Sequence, residues 1–367
     1  MTSRERITAI LAGETPDRVA VFDHFWPETV RDVWSKTGFP EGQTPHQHFD
    51  FDLQLLGWSV NTTPFHQREA ELLEEDDEHK LVRDGRGATL RYWKHKSGTP
   101  EHVGFECITP EIWKDYREQL LGLDLTRIDR EHLPKALAAG RQGDKFLCYG
   151  NLFVFELLRG ILGDVCMLES FLLEPDWIHD FCRVYTDLFK THYEWVFREI
   201  GLPDGMFIYE DLGYRNGPFC SPGTYRELIR PYHEELVGFF HDYGLPVILH
   251  SCGDVRQLFD QIVATGWNCL QPMEAKAGND VLAFADQCRE LGRRIGFMGN
   301  IDVTVLNTGD RERIRAEVSR KVSGMVERGA GYCFHSDHSV PPDISYDSYR
   351  YAIELTRELG TYRVPAV

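Results

Sequence analysis

From about residue 145 onward the chain alternates short apolar runs with long amphipathic ones. KFLCYG, GMFIYED, LPVILHSCG, WNCLQPME, RRIGFMGNID and GYCFHSDH are each brief and apolar, which is how strands covered on both faces read. Between them lie segments such as EPDWIHDFCRVYTDLFKTHYEWVFREIG and SPGTYRELIRPYHEELVGFFHDYG, whose apolar positions recur at helical spacing. Many of the helical segments close on a glycine, at Gly201, Gly244, Gly266, Gly292 and Gly329, as a left-handed C-cap prefers.

The first part of the chain has a different texture. Thr2 or Ser3 is placed to cap a helix ending near Gly13, DRVAVFDHF reads as a first strand, residues 28–37 read as helical, and LQLLGWSV reads as a second strand. After it, ELLEEDDEHKLVRDGRGATLRYWKHKSGTPEHVGFEC alternates over short runs around Asp84-Gly85 and Gly98, the pattern of antiparallel hairpins. Residues 65–108 are therefore expected to form an insertion or lid. Six strand–helix units plus two N-terminal strands predict a (β/α)8 TIM barrel, an α/β fold, with an N-terminal extension and a β-hairpin insertion. A doubly wound open sheet is the competitor, but no G-x-G-x-x-G follows a strand. One domain over residues 1–367 is expected.

Composition narrows the function. The net charge of −18 opposes a phosphate backbone, so nucleic acid is not expected as a partner. The start, MTSRERITAILAGETPDR, has no apolar run of signal-peptide length, and no stretch is long and apolar enough to span a membrane. The nine cysteines are scattered and odd in number, which argues for reduced thiols in a cytoplasmic protein rather than a disulfide framework.

Polar residues gather where the predicted strands end: Glu210-Asp211, His250-Ser251-Cys252, Glu274, Asn300-Asp302 and His335-Asp337-His338. A barrel carries these positions on the rim where active sites lie. Polar residues also simply mark loops, which accounts well for Asp and Asn and poorly for His and Cys. His250 and Cys252 stand two apart at a strand end, so both point to one side, and an imidazole with a thiolate favours zinc over magnesium or calcium. Glu274 and His338 are further ligand candidates from nearby rim loops, with Cys333 and His335 as rivals to His338. Glu210 and Asp302 are candidate catalytic groups that orient a ligand or touch substrate. Helix capping and a rim salt bridge are the alternatives for Glu210, Asp211 and Asp302. Tyr209, Trp26, Phe25 and His24 are candidates to line an apolar pocket.

Several stretches resemble the uroporphyrinogen decarboxylase superfamily, and within it the zinc-dependent, corrinoid-linked methyltransferases. They are RERITAILAGETPDRVAV, then YEDLGYRNGPFCSPGTYRELIRPYHEELVGFFHDYGLPVILHSCGDV, LQPMEAKAGNDVLAF, GFMGNIDVTVL and GYCFHSDHSVPPDISYDSY. The resemblance implies a (β/α)8 barrel. Its decarboxylases hold substrate carboxylates with arginines after the first strand and use an Asp after the second. Here the first loop, DHFWPET, has no Arg before Arg31, and LLGWSVNTT has no Asp.

The methyltransferases use His-x-Cys after one strand and a Cys after the last, around zinc. His250 and Cys252 match the first part, and the last Cys position falls on His338. A Glu about twenty residues after the Cys also serves as a ligand in that group, and Glu274 fits. The implied function is methyl transfer between a small methylated substrate or acceptor and a corrinoid. A partner protein must carry the corrinoid, or it arrives as free cobalamin, because no D-x-H-x-x-G motif is present. Pairing of barrels as a homodimer also follows from the resemblance. A single Cys leaves the zinc more positive and a stronger Lewis acid toward oxygen. A decarboxylase, or a non-catalytic protein that holds a corrinoid or small molecule, are the alternatives.

Overall fold

A computed structural model describes residues 1–96 and 98–362. Ser97, within the expected insertion, and residues 363–367, within the expected domain, lie outside the described residues. Eight parallel strands follow one another in chain order: β1 (Ala20–Val21), β2 (Leu53–Trp58), β3 (Phe146–Leu152), β4 (Gly205–Tyr209), β5 (Val247–Ser251), β6 (Cys269–Pro272), β7 (Gly296–Met298) and β8 (Tyr332–Phe334). Each pairs with the next from β2 to β8, and β8 pairs with β1. The remaining seam, between β1 and β2, is bridged where the Asp52 N–H donates to the Val21 carbonyl at 2.8 Å. The fold is the expected TIM-barrel type, with helices outside and most strand positions fully buried.

The local reasons are visible in the sequence. Thr2, not Ser3, caps the first helix (Ser3–Leu11), and Glu5 reaches back to complete a capping box. Ser3 instead donates to the Asp52 carboxylate. Residues 29–36 are a turn of π-helix followed by a turn of 3-10 helix, not an α-helix. The helix expected over 221–244 forms, but it opens to a π-turn at Tyr225–Ile229 before continuing as Arg230–Asp242. Pro231 explains this, since it has no N–H for the preceding turn and its ring crowds the carbonyl one turn back. Gly266 ends its helix in the left-handed conformation that the sequence anticipated.

Between β2 and β3 four strands, Glu71–Glu75, His79–Arg83, Ala88–Trp93 and Glu101–Phe105, pair antiparallel in chain order. These are the expected hairpins, and they form one small sheet. Its last strand sets Phe105 against Gly163, where any side chain would collide with the ring. Gly163 follows the helix Val154–Leu162, which leaves the C-terminal end of β3. No helix among the described residues is long and apolar enough to cross a membrane.

Candidate functional site

The pleat decides which rim residues meet. Tyr209 lies opposite His250 across β4 and β5, and His250 lies opposite Gln271 across β5 and β6. Residues in register share a face, so these side chains form a row at the top of the barrel. Two residues on, the same parity returns Asp211 and Cys252 to that face. The Cys252 Sγ is 3.5 Å from His250 Nε2, and Asp211 Oδ1 is 3.4 Å from the same nitrogen. The Cys252 N–H donates to Asp211 Oδ1 at 2.8 Å. Donor atoms of Asp211, His250 and Cys252 all lie within 4.8 Å of one another.

The loop that carries Cys252 is pinned on every side. Gly253 N–H donates to Glu274 Oε2, Asp254 N–H to the Tyr214 carbonyl, and Asn279 Nδ2 to the Gly253 carbonyl. Gly253 has φ +74°, and a Cβ there would stand 2.2 Å from the Gly213 carbonyl carbon. Only glycine fits both the dihedral and the space. Burial, with Asp211 and Glu274 nearby, pushes the Cys252 thiol well above its ordinary pKa. Burial also raises Asp211, but the His250 contact and charge and the Cys252 N–H outweigh it and hold the carboxyl low. Burial and then Asp211 lift Glu156 to about 7, against the pull of Arg159.

The site residues expected from sequence separate into two sets. His250 and Cys252 converge. Glu274 supports the loop through Gly253 and pairs with Lys276 at 3.2 Å, so it stands beside the group rather than within it. His338 stacks on Trp26, with ring centroids 6.3 Å apart, and is likewise not in the group. Cys333 is fully buried in β8, and His335 is buried just past its C-terminal end. Glu210 faces away from the row. Its oxygens accept from the Phe155 and Glu156 N–H groups at 3.0 and 2.8 Å and from His233 Nε2 at 2.7 Å. Asp302 caps its helix through the Thr304 N–H at 2.7 Å.

Of the pair Glu210-Asp211, the one that shares the parity of Tyr209 and the His-x-Cys pair is Asp211, a signal readable in the sequence. Glu210→Gln is expected to cost about 1–3 kcal/mol of stability, because both oxygens accept from N–H donors and an amide must turn its own N–H toward one of them. Denaturant unfolding measures this. Metal content is expected to stay unchanged, and its loss would show that Glu210 reaches the site after all.

Aromatic rings lead from solvent to this group. Trp58, 58% exposed, lies 5.1 Å from Tyr209, whose ring is 4.8 Å from His250. Trp58 also borders a cleft of about 630 Å³ whose wall includes Asn61, Thr63 and Leu152, with Arg86 from the insertion. Arg31 is far from carboxylate duty at the mouth, being exposed and paired with Asp32. Arg159 is already paired with Glu156 and Asp164.

The model of the family described as Uroporphyrinogen decarboxylase (URO-D) matches residues 166–359, more than half of the chain and all of β4 to β8. The chain belongs to the uroporphyrinogen decarboxylase family. Among relatives, the uroporphyrinogen decarboxylase of Pelodictyon phaeoclathratiforme is 30% identical over 142 residues, 38% of this chain and 38% of its own length. That of Thermus thermophilus is 29% identical over 147 residues, again 38% of each. The matched region thus spans less than half of these relatives. A methyltransferase from Methanosarcina mazei has the same fold over 98% of this chain and 99% of its own, with a TM-score of 0.64 and 16% identity. That likeness shows the fold and leaves the reaction open.

Proposed function

We propose that this member of the URO-D family is a zinc-dependent methyltransferase. It moves a methyl group between a small methylated substrate or acceptor and a corrinoid, held by a partner protein or free. The observation that carries the reading is the meeting of His250, Cys252 and Asp211 at the barrel mouth. One imidazole, one thiolate and one carboxylate make a three-ligand set with a position left over, the composition of a catalytic rather than a structural zinc site. The set fits on charge as well. Burial and two carboxylates make a lone thiolate costly, and a divalent cation removes that cost.

Bound zinc would supply Lewis acidity toward the substrate heteroatom, which keeps the electron pair when its bond to the methyl carbon breaks. The chain's own part is placement. The pinned loop fixes Cys252, Asp211 holds the loop N–H, and Glu274 stands ready beside the set. Trp58 and Tyr209, with rings tilted by 53°, present an aromatic approach suited to an aromatic substrate or a corrin edge. The insertion, through Arg86, borders the approach and suits a lid.

Decarboxylation of a polycarboxylate is the second reading, favoured by the URO-D relatives. It needs several free cationic forks at the mouth, whereas Arg31 and Arg159 are both paired, Arg127 is spent on main-chain carbonyls, and Arg86 at the cleft wall offers one fork. The deciding experiment supplies reduced cobalamin, anaerobically, with methylated oxygen, nitrogen and sulfur compounds. Methylcobalamin absorbance then reports transfer. Release of carbon dioxide from uroporphyrinogen without metal, and no methylcobalamin with any donor, would defeat the proposal.

A further inference from the structure

Beside the His250, Cys252 and Asp211 group lies a second polar assembly that the proposed reaction does not use directly. Gln271, buried in β6, sits beside His250 and reaches His335, which follows β8. His24, which follows β1, reaches His335 and Tyr209. Four polar side chains thereby meet at the level of His250: His24 after β1, Tyr209 at the end of β4, Gln271 in β6 and His335 after β8.

The protons of this layer are determined by its fixed partners. His335 Nδ1 is 2.5 Å from the Ser336 carbonyl oxygen, which only accepts, so Nδ1 carries the proton and Nε2 is a lone pair. That lone pair lies 3.1 Å from Gln271 Nε2, which therefore donates to it. The Gln271 amide is now oriented, with its oxygen toward His250. His250 Nδ1 is 2.5 Å from Gln271 Oε1, so Nδ1 carries the proton and donates. His250 Nε2 is left as a lone pair, facing Cys252 Sγ and Asp211. His24 Nδ1, 2.8 Å from the same His335 nitrogen, shares that single lone pair as a second donor, and His24 Nε2 accepts from the Tyr209 hydroxyl at 3.1 Å. Turning the Gln271 amide over would put its N–H2 against the His250 ring and force a proton onto His335 Nε2. The His335 Nδ1 lone pair would then oppose the Ser336 carbonyl.

We infer that Gln271, itself oriented by His335, is a positioning residue that fixes His250 in the tautomer whose Nε2 lone pair faces Cys252 and Asp211. Its purpose rests on the zinc reading above, but its observable does not. A metal-bound imidazole usually gives its other N–H to a fixed acceptor, and losing such a partner typically costs about 10–100-fold in metal affinity. Here the acceptor is a neutral amide that a histidine from the end of β8, two strands away, holds in orientation.

The test has two parts. The first is 15N spectroscopy of histidine-labelled, metal-free protein at about pH 8, above the ordinary imidazole pKa of about 6.5. His250 is assigned by the signal lost in His250→Gln. The expected spectrum shows a protonated Nδ1 and a bare Nε2 at His250. A proton on Nε2 would overturn the inference whether or not the protein binds metal.

The second part is Co2+ titration followed by visible absorption. Gln271→Leu is expected to bind about 10–100-fold more weakly than wild type. Gln271→Glu still accepts from Nδ1 and is expected to restore affinity to within a few-fold of wild type. Wild-type affinity in Gln271→Leu, or a Gln271→Glu protein no better than the Leu variant, would sink the positioning role. A wild type that shows the expected tautomer but takes up no metal would instead remove the zinc reading.

Discussion

Cys252→Ala and His250→Ala are each expected to yield protein without zinc, where the wild type carries about one ion per chain. Each variant removes one of three ligand atoms and leaves the other two too few to retain the metal. Methyl transfer should fall by at least about a thousandfold, since Lewis-acid stabilisation of this kind is worth several kcal/mol. Folding should survive in Cys252→Ala. The loop is held through main-chain groups, the Cys252 N–H on Asp211 and the Gly253 N–H on Glu274, and alanine keeps both. Unchanged thermal unfolding with lost zinc would therefore locate the defect at the site.

The same reasoning sets a pH dependence for the wild type. Burial and the neighbouring carboxylates hold the Cys252 thiol protonated through the neutral range. Zinc must then expel that proton, so apparent zinc affinity should rise about tenfold per pH unit. Zinc retained in both variants, or an affinity flat with pH, would contradict His250 and Cys252 as ligands.

The barrel was legible because parallel strands covered on both faces cannot hide their composition. Val247–Leu249 and Phe146–Tyr149 are apolar at every position, and both are fully buried. His-x-Cys was legible for a related reason. A spacing of two at a strand end puts both side chains on one face whatever the surrounding loop does. Glu274 and His338 were harder to place, because each stands in a loop after its strand and no pleat fixes its direction. Glu274 turned to the Gly253 N–H and His338 to the Trp26 ring.

Gln271 was missed for another reason. A neutral amide within an apolar run carries no charge or metal affinity to draw notice. Its meaning appears only when β5 and β6 are in register and His335 has arrived from β8. The π-turns at Thr29–Val33 and Tyr225–Ile229 do not stand apart from plain helix in the sequence, because periodicity does not separate i→i+5 from i→i+4 bonding over one turn.

The two ends of the barrel divide the work. At the C-terminal rim the buried polar groups leave lone pairs facing a shared space. At the N-terminal end, where Asp52 enters β2, the polar groups are spent on one another. Asp52 has no exposed surface. Its carboxylate accepts from Ser3 Oγ, Arg6 Nη1, Arg18 Nη1 and Nη2, and the Val21 N–H. Those donors come from the first helix, from the approach to β1 and from β1 itself. Its own N–H and carbonyl bond to Val21 and Phe146, across both neighbouring strands. One side chain thus ties the N-terminal helix to the only barrel seam with no strand ladder among the described residues.

Asp52→Ala is expected to destabilise the fold by about 3–5 kcal/mol, the usual cost of removing one partner from a buried ion pair. Arg6, 5% exposed, would keep Asp17 as its charged partner beside the Met1 carbonyl, and the Val21 N–H would lose its side-chain acceptor. Asp17→Asn serves as the comparison. Asp17 meets the same arginine but is 38% exposed at its side chain, and water replaces much of what it gives, so the loss should stay within about 1 kcal/mol. Denaturant midpoints measure both. An Asp52→Ala protein no weaker than Asp17→Asn would mean that core packing alone closes the seam. Where Asp52→Ala remains folded, its zinc content should match wild type, because the ligands stand at the opposite end of the strands.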